Sequence, residues 1–265
     1  MGDIRLNWWG KLIGGAFGFI LGGPLGAVLG IAVGHNLDSG MEHLSREPLA
    51  HGDQERVQTA FFAATFSTLG SISKADGKVS PQEILLAEEV MRQMDLSSEM
   101  KTAAIRLFNE GKSKKFPLDE AILQFKKECK GRTTLIQMFL EIQIQGAYAD
   151  GKLDKSEESL LLHICSLLKV SESEFRRLER RIQVELGLQN KNNTSLSVND
   201  CYALLGVKKG DSDVNVKKAY RRLLNQHHPD KLASKGLPEE MMKLAAQKTH
   251  EIRQAYQVIK NARNF

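Results

Sequence analysis

Three groups of residues in this chain have types and spacings suited to chemistry. The first is His227-His228-Pro229-Asp230, where a carboxylate follows a proline directly after two imidazoles. The second is a pair of acidic turns, Ala75-Asp76-Gly77-Lys78 and Ala149-Asp150-Gly151-Lys152. The third is a set of cysteines, Cys129, Cys165 and Cys201, odd in number and far apart. No C-x-x-C pair occurs, which argues against a zinc site and against a disulfide framework, and fits a reducing compartment.

The adjacent histidines do not make an enzyme. Consecutive residues point to different sides of a helix, and no carboxylate–His–nucleophile set accompanies them. The acidic turns resemble the second half of a calcium loop, so a metal- or stress-ion-binding protein using Asp76, Glu83, Asp150 and Glu157 is the alternative reading. Counting back from the two glycines places Ile72 and Lys74, or Gly146 and Tyr148, at the first ligand positions. None is a carboxylate, so hard-cation affinity is expected to be poor. A structural account covers all these residues. Glycine closes one helix, and Ser80-x-x-Glu83 or Asp154-x-x-Glu157 opens the next with capping-box spacing, helped by Pro81 at the first helical position. Neither a metal nor a cofactor is expected.

The His-Pro-Asp tripeptide gains meaning from its flanks. Val214 to His227 reads as an amphipathic helix with Val216, Ala219, Tyr220, Leu223 and His227 on one face. Lys217, Lys218, Arg221 and Arg222 lie opposite. Lys217/Arg221 and Lys218/Arg222 are like-charge pairs that oppose helix formation by a few tenths of a kcal/mol, about 0.2–0.5 each. A docking role for this face is the better account. Proline forces His228 out of the helix, and the fixed φ of Pro229 stiffens the loop that carries Asp230. A second helix, about 238–261, presents Met241, Ala245, Ile252, Ala255, Tyr256 and Ile259 to the first. A short helix from Asp200, closed by Gly206, precedes both.

The net charge of +5 belongs to this region: residues 199–265 hold 13 Lys and Arg against 7 Asp and Glu. An acidic partner surface is implied; nucleic acid would suit the charge alone but is not an expected partner.

Upstream, residues 54–187 read as helix after helix, with apolar stripes at Phe61, Phe62, Thr65, Phe66 and Leu69, and at Leu135, Met138, Phe139, Ile142 and Ile144. Two segments match at a constant offset of 74 residues: Glu83 falls on Glu157, Leu86 on Leu160, Val90 on Ile164, Leu96 on Val170 and Ser97 on Ser171. Two copies of a helix–turn–helix–turn–helix unit are expected. Residues 188–198 are polar and aperiodic, as in a flexible linker.

At the other end, Leu12–Val33 is a run of 22 uncharged residues. As a helix it would span about 33 Å, enough for a hydrocarbon core of about 30 Å. Trp8 and Trp9 stand where indoles favour the headgroup layer. Gly10, Gly14, Gly18, Gly22, Gly26, Gly30 and Gly34 recur at every fourth position, so a second helix could approach closely along that stripe. Residues 1–35 are therefore expected to anchor and to dimerise, and 36–53 to connect the anchor to the rest. The balance of Lys and Arg leans weakly towards an internal N-terminus.

Tyr202-x-Leu204-Leu205-Gly206-Val207, Lys217–Leu223, His228-Pro229-Asp230-Lys231 and Glu251-Ile252-x-x-Ala255-Tyr256-x-x-Ile259 together resemble the J-domain over residues 199–265. The paired acidic turns on a helical domain resemble the TerB-like family, named for tellurite resistance. With the Gly-rich span, the whole chain resembles the DjlA-type family of membrane-anchored DnaJ-like co-chaperones. The resemblance implies an all-α protein that is not itself an enzyme. It would recruit a DnaK-type chaperone through His228, Pro229 and Asp230, with Lys217, Lys218, Arg221 and Arg222 steering towards an acidic patch. It further implies a bacterial inner-membrane location and a regulatory part in stress response. DnaK and ATP are cytoplasmic, which places the N-terminal tail in the periplasm against the weak charge bias. No Gly/Phe-rich segment or cysteine-rich zinc domain accompanies the motif.

Overall fold

The computed structural model describes residues 23–34, 53–75, 81–93, 96–149, 151–189, 197–238 and 241–265. All regular elements among them are helices: α1 (Gly23–Gly34), α2 (Asp53–Ile72), α3 (Pro81–Gln93), α4 (Ser98–Gly111), α5 (Leu118–Glu128), α6 (Thr133–Ala147), α7 (Lys155–Leu168), α8 (Glu172–Gln189), α9 (Val198–Leu205), α10 (Asp213–His227), α11 (Pro229–Ala233) and α12 (Met242–Arg263).

The repeat is visible in the helices. α3 and α7 begin 74 residues apart, as do α4 and α8. Ser97 and Ser171 do the same work in both copies, each hydroxyl accepting from the backbone N–H three residues on, at 3.3 Å. At the second acidic turn Gly151 has φ +89°, and Asp154 and Glu157 close a reciprocal capping box at the start of α7. α3 starts at Pro81, as expected of proline at a first helical position. Asp76, Gly77, Ser80 and Asp150 lie outside the described residues.

The core forms around α2 and α6, which are buried more completely than one stripe predicts. Every residue from 57 to 70 is shielded, polar ones included. Phe61 meets Phe125 edge-on and Phe125 meets Phe139 at a tilt, with ring centroids 5.9 and 4.6 Å apart. α2 and α4 cross at backbone distance. A Cβ on Gly70 would lie 2.0 Å from the Phe108 carbonyl oxygen, and one on Gly111 1.8 Å from that of Ser67. The Ser71 hydroxyl seals the crossing by donating to the Gly111 carbonyl at 2.9 Å.

α1 holds the last part of the expected span. It packs on α4 and α5, burying Leu25 and Val28, while the Leu25 N–H donates to Gln124 Oε1 at 2.9 Å. Gly26 is buried as well. An apolar helix must bury its sides in lipid or in protein, and these residues are seen against protein. Among the described residues no helix is long and apolar enough to cross a membrane. Trp8, Trp9, Gly14, Gly18 and Gly22 lie outside the described residues, as does the linker at 190–196.

The C-terminal domain is α9 to α12. Its own core joins Leu204, Leu205, Val216, Leu223, Ile252, Ala255 and Ile259, and Tyr220 stacks on Tyr256 at 3.9 Å. Arg263 fastens the chain's end to the α9–α10 loop, donating to the Tyr202 hydroxyl at 2.5 Å and to the Lys209 and Asp211 carbonyls at 2.7 Å. Two details differ from expectation. The last helix begins at Met242, not near 238, and Met241 and Ala245 pack into the core of the preceding domain instead of against α10. The two domains thus share buried surface.

Candidate partner-docking site

α10 is capped by Ser212, whose hydroxyl accepts from the Asn215 N–H at 3.3 Å. Val216, Ala219, Leu223 and His227 are buried, which fixes the helix's rotation. Lys217, Lys218, Arg221 and Arg222 are therefore exposed, as their spacing predicts. At the end of α10, His228 turns to extended backbone, with φ −63° and ψ 123°. Pro229 then opens the one-and-a-half-turn helix α11, with Asp230 in its first turn. The Asp230 side chain is 87% exposed, and the His228 Nδ1 lies 3.9 Å from its Oδ2. The loop thus displays a carboxylate at the edge of a cationic face. That arrangement can form charge-assisted hydrogen bonds to a cationic group of a partner while the helix meets an acidic one.

What holds the loop from behind is a cluster of charges crossing between the domains. His227 Nε2 lies 3.6 Å from Glu141 Oε1 on α6. Lys248 on α12 sits 3.4 Å from Glu141 and 3.0 Å from Glu185 on α8. Arg181 on α8 pairs with Glu141 and, at 3.8 Å, with Glu185. Burial alone would raise the Glu141 carboxyl, but Arg181, His227 and Lys248 hold it down at about 2. Burial outweighs the neighbouring carboxylates at His227 and lowers it to about 4, so the imidazole is neutral at pH 7. Against burial, Glu185 and Glu141 raise the Lys248 ammonium. Two carboxylates then face two cations, and the charges balance. Beside them, Leu232, Leu237 and Met241 join the core of the helical domain.

The helical period predicts His227 on the apolar stripe, but no local signal pairs Glu141 with it or Glu185 with Lys248. Those partners are 86 and 63 residues apart in the chain, beyond the reach of any local pattern. As for metal chemistry, Ile72 is buried and the Tyr148 hydroxyl donates to Glu179 at 2.9 Å, so neither serves a calcium loop. Among the described residues no group of His, Cys, Asp and Glu is arranged to hold a metal ion.

Comparisons with known proteins divide the chain in the same order. A family model described as "Co-chaperone DjlA transmembrane domain" matches residues 4–45. One described as "Tellurite resistance protein TerB" matches 62–180, and "DnaJ domain" matches 200–264. The co-chaperone protein DjlA of Coxiella burnetii is 42% identical over 98% of this chain and 100% of its own length. Those of Photobacterium profundum and Escherichia coli K12 are 39% and 40% identical, over 97% and 98% of this chain and 99% and 100% of their own. No solved structure gives a significant match. Nothing in these matches supports the metal-binding alternative. With similarity running from end to end at this level, the chain belongs to the DjlA family of co-chaperones.

Proposed function

We propose that this chain recruits a cytoplasmic DnaK-type chaperone through the His228-Pro229-Asp230 loop and stimulates that partner's ATP hydrolysis. It is a membrane co-chaperone, and the ATP chemistry belongs to the partner. The observation that carries the site assignment is the loop itself: an exposed Asp230, held by a fixed proline turn beside Lys217, Lys218, Arg221 and Arg222. Asp230 would pair with a cationic group of the partner, and the basic face of α10 would raise the association rate.

Residues 1–35 anchor the chain in the bacterial inner membrane and self-associate through Gly14, Gly18, Gly22 and Gly30, whereas Gly26, expected on the same stripe, is buried against its own chain; 36–53 connect to a helical domain at 54–187; 188–198 link it to a J-domain at 199–265. The short N-terminus lies in the periplasm and the remainder in the cytoplasm, where DnaK and ATP are found.

Single-turnover ATP hydrolysis by a cognate DnaK-type chaperone, with and without the full chain in lipid nanodiscs, tests the proposal. The chain should accelerate hydrolysis and hydrolyse nothing alone. Asp230→Asn should abolish the acceleration with thermal unfolding unchanged, because one lost docking carboxylate is worth about 2–5 kcal/mol. Normal stimulation by Asp230→Asn would remove the basis of the reading.

A further inference from the structure

Arg222 does not look the same way as the other three cations of α10. It borders a cleft of about 290 Å³ between the two domains, which Lys169, Arg177 and Arg181 of the helical domain also line. Although its residue stays largely exposed, partial burial at the rim of the cleft lowers the Arg222 guanidinium below its ordinary value, and Arg177 and Arg181 lower it further by repulsion. Arg181 is already neutralised by Glu141 and Glu185. Among the described residues Arg177 pairs only with Glu174, at 3.8 Å with both side chains about half exposed. Among the described residues Glu174 is also the single acidic one lining the cleft. Among the described residues Arg222 has no carboxylate partner.

Like charges gathered across a domain boundary oppose the docked arrangement, and folding gains nothing from them. They become favourable when a negative surface covers them. Arg222 lines the cleft and stands one helical turn after the exposed Lys218, so one acidic surface can reach both the cleft and the face of Lys217, Lys218 and Arg221. The buried cluster of Glu141, Glu185, Lys248 and His227 holds α8 and α10 in fixed register, which keeps Arg177 beside Arg222.

We propose that the docking surface for the DnaK-type chaperone continues from α10 across this cleft onto α8, with Arg177 and Lys169 of the helical domain meeting the same acidic surface as Arg221 and Arg222. The inference rests on the co-chaperone reading above and adds the helical domain to the interface. That domain then serves as part of the recognition surface and not only as a spacer.

The test is stimulation of ATP hydrolysis by the full chain in nanodiscs, titrated at low and at high salt. Arg177→Glu should raise the half-stimulating concentration about three- to tenfold at low salt, with the maximal rate unchanged. The difference should close above about 0.3 M salt, where the screening length falls to a few ångströms. Lys114→Glu, an equal change of charge at an exposed position outside the cleft, should behave as the parent. Arg177→Gln should shift the curve less, and it decides the matter if Arg177→Glu melts early. Coincidence of both Arg177 variants with Lys114→Glu, while Asp230→Asn has lost stimulation, overturns the extended surface and leaves the co-chaperone reading intact. Normal stimulation by Asp230→Asn overturns both.

Discussion

Lys248, on the last helix of the J-domain, carries its Nζ 3.0 Å from the Glu185 carboxylate of the helical domain, with both side chains almost wholly shielded. A buried pair of this kind commits the two domains to one arrangement, because separating them requires each charge to find water or another partner. Arg181 and Glu141 complete a neutral set with them, and the neutral His227 lies against it.

Removing one member should therefore cost far more than a surface ion pair would. Lys248→Met leaves two carboxylates facing Arg181 alone and should destabilise the docked fold by about 3–5 kcal/mol. Adding Glu185→Gln restores charge balance and should recover much of that loss. Denaturant unfolding of the full chain measures both variants. Hydrogen exchange along α12 locates the change. Equal stability of Lys248→Met and parent would mean that the domains do not depend on this cluster.

His227 makes the same contact sensitive to pH. Its folded-state value is depressed from 6.5 to about 4. Between those values the unfolded chain takes up a proton that the folded chain excludes. Stability is thus full above about 6.5 and falls as the pH drops towards 4, by about 3 kcal/mol in all. Glu141, depressed from 4.5 to about 2, adds a further loss below 4.5. Melting temperatures across pH 4–7 should trace the first limb. His227→Gln should flatten it and leave a shallower Glu141 limb, since Arg181 and Lys248 still hold that carboxyl down after the His227 contribution is lost.

The crossing of α2 and α4 offers a test in the helical domain alone. Gly70 and Gly111 each face a carbonyl oxygen of the other helix closer than any Cβ can approach. Gly70→Ala or Gly111→Ala must push the helices apart and strip packing from Phe108. Each should cost about 1–3 kcal/mol or more, although alanine is the better helix former by about 1 kcal/mol. A neutral or stabilising effect in thermal unfolding would show that the helices separate at no cost.

Local chemistry made much of this legible in advance. The 74-residue offset anticipated the matching starts of α3 with α7 and α4 with α8. Asp154 and Glu157 form the capping box their spacing implies. Proline placed the break at His228, and the period of α10 turned its four cations outward. What escaped was contact between segments distant in the chain. Met241 and Ala245 have the right period to face α10, but period gives a direction and not a partner, and they bury in the helical domain. Glu141 and Lys248 look like ordinary surface charges until a second domain covers them. Gly70 and Gly111 carry no local signal because the oxygen each must avoid belongs to another helix.

The glycine stripe of the N-terminal segment leads to the last prediction. Small residues at every fourth position let two helices meet closely in lipid, where dispersion contacts and weak hydrogen bonds replace the hydrophobic drive. Gly18→Leu and Gly22→Leu should hold the backbones apart and lower self-association in the membrane, while keeping the segment apolar enough to insert. Phe19→Leu, off the stripe, should change little. Leu25 is an unsuitable control even though it also lies off the stripe, because its side chain is fully buried against α4 and α5 and its N–H is bonded to Gln124. Crosslinking in native membranes, scored beside an insertion assay, separates loss of pairing from loss of anchoring. Undiminished dimer in both glycine variants would leave the segment as an anchor without a partner.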